Sequence, residues 1–110
     1  MKIIIRVVFG IIGLMIGTNA YSAQTENYKI GKIQIQGSSS NIAIYSQNGS
    51  WGVSGCPSAV EVIIADNASL FREMLSTALA AKFAEKEVRF LGTCDASDSS
   101  RFNAYLLIVY

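Results

Sequence analysis

Apolar and polar positions first alternate along "YKIGKIQIQ" (28–36), where Ile33 and Ile35 share one face while Ile30 falls out of phase across Gly31. A glycine at a change of phase predicts a bulge or bend. The pattern breaks at "GSSSN" and resumes in "NIAIYS" (41–46), with Ile42 and Ile44 set against Ala43 and Tyr45, so the two runs read as a hairpin. "QNGSWGVSGCPS" (47–58) is rich in Gly, Ser and Asn, holds the single proline, and predicts a long connection. "AVEVIIA" (59–65) is a third strand, with Val60, Val62 and Ile64 on one side and Glu61 on the other. The period then changes. In "DNASLFREMLSTALAAKFAEK", Leu70, Phe71, Met74, Leu75, Ala78, Leu79 and Phe83 recur at three- and four-residue steps, predicting an amphipathic helix over 67–86. Its expected core face is Phe71, Met74, Leu75 and Leu79. Asp66, Asn67 and Ser69 offer N-cap oxygens, and Lys82 and Lys86 suit the negative pole of the helix dipole. Alternation returns in "EVRFLGT" (87–93) and in "RFNAYLLIVY" (101–110). The expected fold class is therefore α+β, mainly β. Five strands with one helix between the third and fourth is the order of a five-stranded OB-type barrel, an order that other α+β arrangements share.

The first residues do not belong to this pattern. Lys2 and Arg6 precede a run of ten apolar residues, Val7 to Ile16, and small residues follow at Thr18, Ala20 and Ser22. This is the layout of a secretory signal peptide, cleaved after Ala20 or Ser22. A membrane anchor needs about 20 apolar residues, and Thr18 and Asn19 end this run too early. The expected organisation is a signal peptide over 1–22 and a single OB-type domain over 23–110, secreted or periplasmic.

Export changes the charge and the meaning of the cysteines. The chain has nine Lys plus Arg against eight Asp plus Glu; without Lys2 and Arg6 the balance is seven against eight, or −1. A near-neutral domain lacks the basic surface that phosphate neutralisation requires, so neither nucleic acid nor, after cleavage, the membrane is an expected partner. Cys56 and Cys94 are the only cysteines, and in an oxidising compartment a small domain gains from joining them. Without histidine they form no four-ligand zinc site, and there is no C-x-x-C redox motif.

From Ile33 to Tyr110 the chain resembles the B subunits of bacterial AB5 toxins of the subtilase-cytotoxin and typhoid-toxin type, and a group of small secreted bacterial proteins related to them. The resemblance rests on "GCPSA" before the third strand, "SLFREMLSTALAAKFAEKEVRF" as a helix running into a strand, and "GTC" closing that strand. It implies an OB-type barrel with a stapling disulfide, assembly into a homo-pentamer, recognition of cell-surface glycans, and a catalytic toxin-like subunit as partner. In those subunits a serine near the early strands contacts sialic acid; which of Ser38, Ser39 and Ser40 would correspond is open.

Catalysis is not expected. The absence of histidine closes the routes that need an imidazole to move a proton. A Ser-Lys dyad would require a chance meeting of loop serines with one of few lysines. Asp95 and Asp98 in "CDASDSS" could pair for glycoside hydrolysis, but they read more simply as a solvated loop, and the stretch lacks the glycine and glutamate of a calcium loop. No cofactor or metal is expected. What remains is binding through loops and aromatics, with Ser38, Ser39, Ser40, Asn41, Asn48 and Trp51 as candidate glycan contacts: hydroxyls and amides beside an aromatic face. Two ordinary turns, with the tryptophan packed over one barrel end, are the competing reading. The expected function is a secreted, non-catalytic, glycan-recognising domain. Its alternative is a periplasmic structural or inhibitory binding protein with no sugar ligand.

Overall fold

The computed structural model describes residues 23–37 and 40–110; the expected signal peptide, Ser38 and Ser39 lie outside the described residues. The elements in chain order are β1 (Ala23–Gln24), β2 (Tyr28–Gln36), β3 (Asn41–Ser46), β4 (Glu61–Ile64), a helix α1 (Phe71–Ala84), β5 (Glu87–Cys94) and β6 (Arg101–Val109). The strand order is β1-β5-β2-β3-β4-β6, and β5 also pairs with β6. Five strands therefore form a near-closed ring, with β1 attached outside it on β5. All the pairings are antiparallel except β4 with β6, which run parallel.

The hairpin of β2 and β3 follows the alternation, with Ile33 opposite Ile44 and Ile35 opposite Ile42. The register shifts between Ile30 and Lys32, placing a bulge at the phase change the sequence marked. A side chain on Gly31 would crowd the Ser46 carbonyl oxygen at 3.1 Å. A second bulge between Leu91 and Gly92 has no such signal in the pattern. There the β6 backbone comes so close that a Cβ on Gly92 would overlap the Asn103 carbonyl oxygen. Only glycine permits this approach.

The ring is filled by Ile30, Ile42, Ile44, Val62, Ile64, Val88, Phe90 and Phe102, all fully buried. The long connection after β3 adds to this core instead of looping over it. Trp51, Val53, Cys56 and Ala59 are buried in the same cluster. Trp51 has no exposed surface: its ring meets Phe90 edge-on with centroids 5.2 Å apart and lies 6.3 Å from Tyr28. Its indole N–H donates to the Ile44 carbonyl at 3.0 Å, giving the buried nitrogen the partner it needs. Cys56 is joined to Cys94, with Cα atoms 6.0 Å apart, so the disulfide ties this plug to the end of β5.

The helix is shorter than its periodicity suggests. It begins at Phe71, and no side chain caps its first turn. Asp66, Asn67 and Ser69 fall in preceding turns, closed by Ala68 N–H to Ala65 O and Phe71 N–H to Ala68 O. At the other end Glu85 takes a left-handed conformation with φ 55°, and Lys86 N–H donates to Ala81 O, turning the chain directly into β5. The stripe that enters the core is Met74, Ala78 and Ala81, with Phe71 and Leu75 half-buried beside it. Leu79, expected on the core face, is 40% exposed, and Phe83, the last apolar residue of the helical repeat, is 87% exposed. At 100° per residue these two lie on the far side of the helix from Met74 and Ala81. Met74→Ala should accordingly cost about 2–5 kcal/mol, whereas Phe83→Ser should stay within about 0.5 kcal/mol. Urea unfolding of the two variants checks the assignment, and equal losses would refute it.

Candidate functional site

Of the candidate glycan residues, the described ones, Ser40, Asn41, Asn48 and Trp51, do not converge. Ser40, in a left-handed conformation with φ 59°, closes the turn between β2 and β3 by donating its N–H to Gln36 O, and Asn41 opens β3. Asn48 follows the other end of that strand. Six residues of extended chain separate the two groups by about 17 Å. At the Asn48 end the polar groups satisfy one another: Ser46 Oγ accepts from Asn48 N–H at 3.1 Å and donates to the Ser50 carbonyl at 2.7 Å. Trp51 offers no face to a ligand, because its ring is enclosed by the core. That expectation is corrected: Trp51 is a packing residue, drawn inward by apolar area and by the carbonyl that receives its N–H.

The outer face of the ring gathers a different set. β3 turns Tyr45 outward, away from buried Ile44, and the register places Lys32 of β2 directly opposite it. β4 and β6 bring Glu61 opposite Arg101. Tyr45 hydroxyl donates to Glu61 Oε2 at 2.5 Å, and Arg101 Nε donates to Glu61 Oε1 at 3.1 Å. Arg101 also lies 3.6 Å from Asp98 Oδ2, and Lys32 Nζ sits 4.3 Å from the Tyr45 ring centroid. The result is a row of aromatic, carboxylate and guanidinium groups spanning four strands and only partly buried. The Glu61 carboxylate, through its hydrogen bond, raises the Tyr45 hydroxyl above the ordinary tyrosine value, with desolvation adding to the effect. Tyr45 therefore stays a donor at neutral pH. These residues were visible in the sequence only as the polar half of each alternation, at Tyr45, Glu61 and Arg101.

Asp95 and Asp98 are engaged within their own loop. Asp95 Oδ1 accepts from the N–H and hydroxyl of Ser97, and Asp98 Oδ1 from those of Ser100. Hydrogen bonds from these serines hold both carboxyls below the usual aspartate range, so both are ionised at neutral pH and neither is poised as a general acid. Among the described residues no group of three His, Cys, Asp or Glu could hold a metal ion, and no helix is long and apolar enough to cross a membrane.

Two grooves flank α1, one of mixed polarity and one mainly apolar. One, of about 490 Å³, is lined by Ile33, Leu79 and Phe83 with Gln47, Lys82 and Glu85. The other, of about 200 Å³, lies between α1 and β6 and is lined by Leu70, Met74, Leu106 and Leu107 with Glu73, Thr77 and Tyr105. Of the helix residues that line them, the expected core face had included Met74, which is buried, and Leu79, which is not.

No protein-family model matches the chain, and neither a curated protein nor a solved structure matches it.

Proposed function

We propose that this chain is an exported, non-catalytic binding protein on an OB-type barrel, and that its ligand is a glycan held on the outer face of β3, β4 and β6. The observation that carries this reading is the row of Tyr45, Glu61 and Arg101. A saccharide needs an aromatic surface for its C–H face together with a few fixed donors and acceptors, and this row combines them on rigid strands. The order of the ring, with β4 and β6 parallel, supports the OB-type assignment, and in such barrels the face of the second and third strands is the usual ligand surface. Those strands are β3 and β4 here. The resemblance to AB5-toxin B subunits points to the same ligand class, with a homo-pentamer and a catalytic subunit as further partners.

A glycan array probed with the purified protein tests the reading. Binding should be detected, and Tyr45→Ala should weaken it by about tenfold or more, equivalent to about 1.4 kcal/mol. A silent array, or undiminished binding by the folded Tyr45→Ala variant, would remove Tyr45 from the proposal. The second reading is a structural or inhibitory binding protein without a sugar ligand. The exposed apolar surfaces at Phe83 and at Leu70 favour it, because side chains of that kind suit protein contacts better than sugars.

A further inference from the structure

Where the connection between β1 and β2 meets β5, an arginine is held by uncharged partners. Arg89 alternates with buried Val88 and Phe90 and so lies on the outer face of β5. Its Nε donates to Asn27 Oδ1 at 2.7 Å and its Nη1 to Gln24 Oε1 at 3.0 Å, and the guanidinium lies 5.9 Å from the centre of the Tyr110 ring. Among the described residues Arg89 makes no ion pair, and its Nη2 donates to no side chain or carbonyl. The charge is fixed in direction and left without a counter-charge.

Beside it is a hollow of about 170 Å³, lined by Gln24, Thr25, Glu26, Gly52, Ser54 and Arg89. The Glu26 side chain crosses Gly52 so closely that a Cβ there would come 2.8 Å from Glu26 Cγ. Among the described residues the Glu26 carboxylate accepts no hydrogen bond and makes no ion pair. Both charged residues stand on anchored backbone. Thr25 N–H donates to Phe90 O at 2.9 Å, Thr25 Oγ1 accepts from Phe90 N–H at 3.0 Å, and Glu26 N–H donates to Trp51 O at 2.9 Å. Opposite charges therefore line one small hollow without neutralising each other.

We infer that this hollow binds a small zwitterion, a free α-amino acid, with its carboxylate on Arg89 and its ammonium group on Glu26. A guanidinium held in place by its neighbours offers its remaining N–H groups to a carboxylate with little ordering left to do. A ligand with only an anionic group is repelled by Glu26, and one with only a cationic group by Arg89, so the pair selects a molecule that carries both. The volume sets the size: drug-sized ligands fill roughly 300–1,000 Å³, and this hollow of about 170 Å³ suits something much smaller. None of its lining residues belongs to the row of Tyr45, Glu61 and Arg101. A silent glycan array would leave this inference untouched, and its own failure would not bear on Tyr45.

Proton–nitrogen correlation NMR of the full chain, purified as the cell leaves it and titrated with glycine, L-alanine and L-serine, tests the site. At least one of the three should produce saturable shifts of the Arg89 side-chain Nε–H and the Gly52 amide, with a dissociation constant in the millimolar range or tighter. For that amino acid, the N-acetylated form keeps the carboxylate without the ammonium group, and the carboxamide form does the reverse; each should bind at least about tenfold more weakly. Arg89→Gln and Glu26→Gln should each weaken the parent amino acid by about tenfold or more, and only Arg89→Gln should weaken the N-acetylated form. Glu26 is exposed, so Glu26→Gln decides the matter if the Arg89 variant fails to fold. Absence of saturable shifts with all three amino acids would overturn the inference. So would binding that Glu26→Gln leaves unchanged, or an N-acetylated form that binds as tightly as its parent.

Discussion

Trp51→Ala is expected to destabilise the domain by roughly 3–5 kcal/mol, the range for truncating a large buried aromatic. The indole is fully enclosed, packs edge-on against Phe90, and is held at both backbone ends: Trp51 N–H donates to Ala59 O, and Trp51 O accepts from Glu26 N–H. Its removal would open a cavity among β2, β3 and β5 and leave the Ile44 carbonyl without its indole donor. Stability of a domain this size is on the order of 5–15 kcal/mol, so the loss is a large share of the total. Trp51→Phe should fall between the two, retaining much of the ring contact while losing the hydrogen bond. Urea unfolding followed by far-ultraviolet circular dichroism checks the series. A midpoint within experimental error of the unaltered chain for Trp51→Ala would show that the tryptophan is not a core residue.

Removing the disulfide should have an effect of similar size by a different route. Cys56 and Cys94 are separated by 38 positions, and on the chain-entropy model closing such a loop is worth about 4 kcal/mol. The gain acts through the unfolded chain, which loses conformations when the two points are tied. In the folded state the bond has a second role, because it anchors the plug containing Val53, Cys56 and Ala59 to the end of β5. The doubly substituted Cys56→Ala/Cys94→Ala protein should unfold at markedly lower urea concentration, and complete reduction of the unaltered chain should reproduce the shift. Unchanged midpoints in both experiments, with free thiols confirmed in the reduced sample, would rule out a stabilising staple. Local opening of 47–60 ahead of the rest would separate the anchoring role from the entropic one.

The hairpin, the bulge at Gly31 and the existence of one helix were legible in the sequence because each depends on local period: two residues for a strand, 3.6 for a helix, and a glycine where the phase slips. Val62 and Ile64 share one side of β4 for the same reason, and both are buried, as are Val88 and Phe90 in the alternation of β5. The pairing of Cys56 with Cys94 followed from their being the only two cysteines. What period cannot supply is the neighbour across space. Trp51 sits in a stretch rich in Gly, Ser and Asn, which reads as a surface loop; only the packing of Phe90, Tyr28 and the Ile44 carbonyl around it makes it core. Leu79 and Phe83 satisfy the helical repeat as well as Met74 does, but the ring presents a narrow surface to α1, so the apolar stripe is wider than the area available to bury it. The β1 strand escaped notice because two residues carry no period at all. The row of Tyr45, Glu61 and Arg101 is the plainest case: its members are 16 and 40 positions apart, and no spacing rule joins them. They meet because β3, β4 and β6 lie side by side in register, with β4 and β6 parallel, and that register is a property of the closed ring and not of any one strand.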